Sequence, residues 1–171
     1  MNRRNFLLQG FATATVLAMG RGWAAPSATP QSEFTPLMKT KEEWRQLLPA
    51  AQYQVLFEEN TESPNSSALL HEKRDGHFLC AACYLPLFKA SAKFESGTGW
   101  PSFFDPLPKA VATHRDFKLI WPRTEYHCAR CGGHQGHVFD DGPAPTGKRY
   151  CNNGLALTFV PNSETLPALR T

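Results

Sequence analysis

The sequence predicts a mainly β domain with short helices at its N-terminal end, and three observations predict it. Two Cys-x-x-Cys pairs, Cys80 with Cys83 and Cys128 with Cys131, are each flanked by short apolar runs, the pattern of strand, knuckle and strand. Beyond about Ser67 the chain alternates apolar and polar residues between closely spaced turn signals. Helix caps and helical periodicity occur only before that point. At 171 residues the chain suits one domain with a real core and is too short for two ordinary ones.

Taken in order, residues 1–25 differ from the rest. Arg3 and Arg4 precede Asn5 and Phe6, a weakly apolar run extends from Leu7 to Met19, and small residues surround Ala24. This reads as a cleavable export signal, and the paired arginines followed by Phe6, Leu7 and Leu8 resemble the twin-arginine type, which carries folded proteins. The run is short and rich in Thr and Gly, which argues against the alternative of an uncleaved membrane anchor. A periplasmic destination follows. Residues 26–38, rich in Pro, Ser and Thr, read as a linker, and residues 39–171 as the domain. Arg3, Arg4 and Arg21 account for the formal +3, leaving 15 basic and 15 acidic residues. A neutral domain has no surplus charge for phosphate contacts, so no nucleic-acid partner is expected.

Thr40 and Glu43 form a capping box ahead of a short helix carrying Trp44, Leu47 and Leu48, which Pro49 stops. A second helix is expected over Gln52 to Glu59, with Tyr53, Leu56 and Phe57 on one face, and Glu62 to Ser67 breaks it. His77 to Leu79 enters the first knuckle and Leu85 to Phe88 leaves it. Val111 to Trp121 alternates as a hairpin around Asp116, and Leu119 to Trp121 with Tyr126 to Cys128 enters the second knuckle, turned by Gly132 and Gly133. His137 to Phe139 is a short strand closed by Asp141 and Gly142, and Lys148 to Val160 is the longest β candidate.

Of five cysteines, four fall in the two pairs. An oxidising compartment favours two disulfides, but metal loading before export would protect the thiols, and two such pairs match a structural zinc site. A closed four-sulfur site leaves no position for substrate, so one structural Zn2+ is expected; iron, as in a rubredoxin-like electron carrier, is the alternative. The fifth, Cys151 in RYCNNG, is spare. On a strand it shares a face with Arg149 and Asn153, and a nearby guanidinium would favour the thiolate. The other reading is an inert buried thiol. His134 and His137, in GGHQGHVFDDG with Asp141, bring two imidazoles within reach of one point for general acid work, unless they are surface histidines or belong to a second metal site with Cys151. Trp100 in SGTGWPSFFDP, with Phe103 close behind, offers an aromatic wall for a small apolar group, the alternative being ordinary core.

Together SGTGWPSF, CARCGGHQGHVFDDGP and TGKRYCNNGLALTF resemble the methionine-R-sulfoxide reductases, the MsrB family, over about Thr40 to Pro161. That resemblance implies two antiparallel sheets, related to zinc ribbons, with zinc held by Cys80, Cys83, Cys128 and Cys131 away from the active site. It implies Cys151 as the nucleophile at the sulfoxide sulfur, Trp100 at the substrate methyl, and His134 and His137 as proton donors. Arg149, Asn153 and Asp141 would shape the site. The expected partners are oxidised methionine in proteins or peptides and an external thiol reductant, a thioredoxin-like protein or a small thiol; a monomer is expected. Many members carry a resolving cysteine where this chain has Thr98, so the sulfenic acid on Cys151 would need outside thiols. Gln135 stands where the family usually has Leu, and only a local effect is expected. The competing classes are the iron electron carrier and a non-catalytic zinc-ribbon binding module, neither of which gives the HQGH, RYCNN and GWPSF clusters a purpose.

Overall fold

The computed structural model describes residues 34–117 and 122–171. The expected export signal, residues 26–33 of the linker and the Leu119 to Trp121 run lie outside the described residues. Of the remaining residues before Lys39, Phe34 and Leu37 pack on the core, and the Leu37 amide donates to the Arg130 carbonyl at 2.7 Å.

The capping box forms, with Thr40 Oγ1 accepting from the Glu43 amide at 3.2 Å and Glu43 Oε2 from the Thr40 amide at 2.7 Å. Helix α1 (Lys41–Leu47) buries Trp44, and helix α2 (Ala50–Glu58) starts directly after Pro49, whose fixed φ suits the entry to a helix. Leu47 departs from expectation at 45% exposure, because in so short a helix only the i, i+4 pair Trp44 and Leu48 faces the core.

Among the described residues nine strands follow: β1 (Gly76–Cys80), β2 (Pro86–Lys89), β3 (Lys93–Phe94), β4 (Ser102–Phe103), β5 (Val111–Asp116), β6 (Arg123–Cys128), β7 (His134–Phe139), β8 (Arg149–Asn152) and β9 (Leu157–Pro161). They make two antiparallel sheets, ordered β2-β1-β9 and β3-β4-β8-β7-β6-β5. The mainly β, two-sheet expectation holds. Aromatic rings from both sheets fill the core. Phe103 of the larger sheet stacks on Phe88 at 4.2 Å and meets Phe78 edge-on at 4.9 Å, while Tyr126 and Tyr150 close the cluster.

Two strand expectations need correction. Asp116 is not a turn residue: it is the last residue of β5 and pairs with Arg123, the first of β6. Lys148 to Val160 is not one strand. The Glu62 carboxylate takes the Gly154 and Leu155 amides at 2.6 and 2.8 Å, donors a sheet ladder would otherwise use. A 3-10 turn over Gly154–Ala156 results, and the chain crosses from β8 in the larger sheet to β9 in the smaller.

Candidate active site

Each knuckle closes by the same two backbone bonds. In the first, the Cys80 amide donates to Leu85 and the Tyr84 amide to Cys80; in the second, Cys128 donates to Gly133 and Gly132 to Cys128, all at 2.9 Å. The residue after each pair, Tyr84 or Gly132, takes a left-handed φ of 63° or 73°, which is what turns both thiols inward. Sulfur atoms meet at 3.6 Å (Cys80 and Cys131) and 3.5 Å (Cys83 and Cys128), and all four lie within 4.8 Å of one another. Tetrahedral Zn–S bonds of about 2.3 Å separate sulfurs by about 3.8 Å, so this donor set, buried but for Cys131, fits a metal ion.

Gln135 reaches this cluster, which is more than the local effect expected of it. Its Nε2 donates to Cys80 Sγ at 3.5 Å, its Oε1 accepts from Asn152 Nδ2 at 3.3 Å, and Asn152 Oδ1 accepts from the Tyr126 hydroxyl at 2.5 Å. These side chains are fully buried. The chain of bonds ties the cysteine cluster to the residue following Cys151.

The same Gln135 sets the histidines. His134 and His137 are three apart and would face opposite sides of a regular strand. They lie within β7, which begins at His134 and not at His137, and the register against β6 shifts between Tyr126 and His127, so that Gln135 is an extra, bulged residue. His134 then pairs with His127 and His137 with Glu125, on one face. Each imidazole has a carboxylate behind it: His137 Nε2 lies 2.9 Å from Asp116 Oδ2, and His134 Nδ1 2.8 Å from Glu125 Oε1. The second contact is close but poorly aligned for a hydrogen bond. Arg123 also holds Asp116, at 2.7 Å. Burial lowers the His137 pKa, Asp116 works the other way, and the net direction is down. Burial works to raise Glu125, yet the pull of His134 and its neighbours holds it below the ordinary carboxylate range.

Cys151 on β8 pairs with His137 on one side and with Ser102 of β4 on the other. Directly paired side chains stand roughly 5 Å apart at Cβ, within reach for proton exchange. Burial pushes the Cys151 thiol up; the Arg149 guanidinium and a hydrogen bond from the Thr98 hydroxyl pull it down, and burial wins. Arg149 therefore acts in the expected sense without producing a net fall. Its guanidinium is fixed by Asp141 through two bonds of 2.8 and 2.9 Å and lies over the Phe139 ring at 4.3 Å.

The sulfur lines a cleft of about 150 Å³ with Trp100, His137, Phe139, Arg123 and Asn153. Trp100 is half-buried, and its indole donates to the Glu62 carbonyl at 3.1 Å. The turn before it needs Gly99, with φ of 91° and Pro64 2.9 Å from where a Cβ would stand. Asn153 spends both polar atoms on the scaffold, accepting from the Glu62 amide and donating to the Gln135 carbonyl, each at 3.1 Å. Past the end of β8, it does not continue the face of Arg149 and Cys151. Phe103 is corrected: it is fully buried, because the alternation that turns Ser102 toward Cys151 turns Phe103 into the core. Sequence reasoning missed Asp116, Glu125 and Glu62. For the first two, the facing strands supply a signal; Glu62 lies 92 residues from Gly154, and nothing local announces it.

One thiol outside the four-cysteine cluster, sharing a cleft with Trp100 and strand-paired with a carboxylate-backed imidazole, on a β scaffold whose other four cysteines could hold a metal ion, is the arrangement of a thiol-based redox enzyme. The SelR domain family model matches residues 48–161. The chain is 49% identical over 127 residues to a peptide methionine sulfoxide reductase MsrB of Methanosarcina barkeri, covering 74% of this chain and 89% of that protein. The protein of the same name from Pseudomonas entomophila is 51% identical over 124 residues, covering 72% and 95%. That from Bradyrhizobium diazoefficiens is 46% identical over 137 residues, covering 80% and 99%. The chain belongs to the MsrB family of SelR-domain proteins.

Proposed function

We propose that this chain reduces methionine-R-sulfoxide, carried in proteins or peptides, to methionine by way of a sulfenic acid on Cys151. Family membership supports sulfoxide reduction, and the observation that carries the residue roles is the pairing of Cys151 with His137 under Trp100. Trp100 receives the substrate methyl, and the Cys151 sulfur attacks the sulfoxide sulfur as its proton passes to the imidazole. His137, held by Asp116, returns a proton to the sulfoxide oxygen, with His134 beside it at 5.6 Å between rings. The S–O bond of the substrate is exchanged for one on Cys151, so methionine leaves reduced by two electrons. Two equivalents of external thiol then restore Cys151, releasing water and a disulfide. Arg149, set by Asp141, stabilises thiolate character; Asn153 positions Glu62 and hence Trp100.

Cys80, Cys83, Cys128 and Cys131 hold zinc, which supplies stability and no catalytic step. The domain of residues 39–171 works as a monomer, with a thioredoxin-like protein or small thiol as reductant. Residues 1–25 direct it to the periplasm, on the strength of Arg3, Arg4 and the apolar run after them. Replacing both arginines by Lys should remove the protein from the periplasmic fraction; undiminished export would reject the twin-arginine route. The reaction is tested on separated R and S epimers with both classes of reductant. The expected result is turnover of the R epimer alone, abolished by Cys151→Ser. Substantial turnover by that variant excludes the mechanism.

A further inference from the structure

The outer strands of the larger sheet carry a second cluster of metal-ligating side chains. His114 of β5 pairs directly with Glu125 of β6, and His127 stands two residues further along β6, so all three project from one face. Opposite His127 is the small Ala112, and β5 is the edge of the sheet. His114 Nε2 lies 3.2 Å from Glu125 Oε2, the two imidazole rings are 5.5 Å apart, and one ligand atom from each residue falls within 4.8 Å of the others. Donors about 2.1 Å from a common ion stand roughly 3.4 Å apart in tetrahedral geometry, which a small rotation of the exposed His114 side chain supplies.

We propose that His114, Glu125 and His127 form a second metal site, separate from the cysteine cluster, for a late first-row divalent cation such as Zn2+. Two neutral imidazoles and one carboxylate are the donor set such ions favour, and a triad that opens to solvent at the exposed His114 leaves further positions for water. The two oxygens of Glu125 face different ways. Oε2 meets His114, whereas Oε1 lies 2.8 Å from His134 Nδ1 in the reductase site. A cation on Oε2 withdraws electron density from the carboxylate, weakens its hold on His134 and slows turnover. The metal site stands without any assignment of Cys151; its effect on rate rests on the proposed function.

The test uses the full chain with one tightly bound zinc per molecule, titrated calorimetrically with Zn2+. The expected result is one further equivalent, retained in Cys151→Ser and weakened about tenfold or more by His114→Ala and by His127→Ala. Circular dichroism and retention of the first zinc confirm that the variants fold. Absence of a further equivalent, uptake indifferent to His114→Ala, or uptake lost in Cys151→Ser, which would put the ion in the catalytic cleft, overturns the site. Added zinc should slow the wild type and spare His114→Ala. Equal inhibition of both overturns the link to His134 while leaving the site to the calorimetry.

Discussion

Thr98 stands where many MsrB proteins carry a resolving cysteine, and its hydroxyl, bonded to Ser96 at 2.8 Å, is near enough to Cys151 to pull the thiol down. A hydroxyl there cannot displace the oxygen of a sulfenic acid. All other cysteines are committed to the four-sulfur cluster, so among the described residues Cys151 has no thiol partner. Thr98→Cys should supply one, because a thiol built on the same Cβ approaches the same atom, and a sulfenic acid condenses readily with a neighbouring thiol. After a single turnover without reductant, mass spectrometry of the wild type should show one added oxygen. The variant should instead have lost both thiol hydrogens, and its peptide map should show the introduced thiol joined to Cys151. An added oxygen persisting on the variant would mean that the two side chains do not meet.

At the level of elements, the bulge in β7 decides what the site can do. Without Gln135 as the extra residue, His134 and His137 would lie on opposite faces, and only His137 would face Cys151. The knuckles, the capping box and the motif order are legible in the sequence because each is written in residues a few positions apart. The bulge is not, since an extra residue exists only relative to the partner strand. The split of Lys148 to Val160 into β8 and β9 depends on the Glu62 carboxylate, and the same residue places Trp100 through its carbonyl and Asn153 through its amide. A sequence break at Glu62 to Ser67 is readable; that its first residue organises the cleft is a tertiary fact. Phe103 shows the same limit at one strand step: proximity to Trp100 in the chain suggests the cleft, while the pairing of Ser102 with Cys151 assigns Phe103 to the core.

Across the whole domain, the cysteine cluster is where the two sheets are joined. Cys80 and Cys83 close the β1–β2 hairpin of the smaller sheet, and Cys128 and Cys131 the β6–β7 hairpin of the larger. Aromatic packing around Phe78, Phe88 and Phe103 adds to the contact between the sheets. Structural zinc binding is worth on the order of 10–16 kcal/mol in small metal-dependent peptides, and a folded domain holds only about 5–15 in reserve. If the cluster holds zinc as proposed, removing the metal would leave four thiols, three of them buried, where a cation bridges two hairpins, and would loosen the Gln135 bond to Cys80 that leads to Asn152. The domain should lose its cooperative fold, not merely its activity. Metal analysis should find one zinc bound by the cluster, and protein stripped by a chelator in denaturant should refold only when zinc is returned. A partial loss of as little as about 3 kcal/mol should still lower the thermal midpoint by about 10 °C, read by circular dichroism. Replacing Cys80 by Ser should act in the same direction. A metal-free protein melting at the temperature of the zinc form would show that aromatic packing alone holds the sheets together, and would leave the cluster without the role assigned to it.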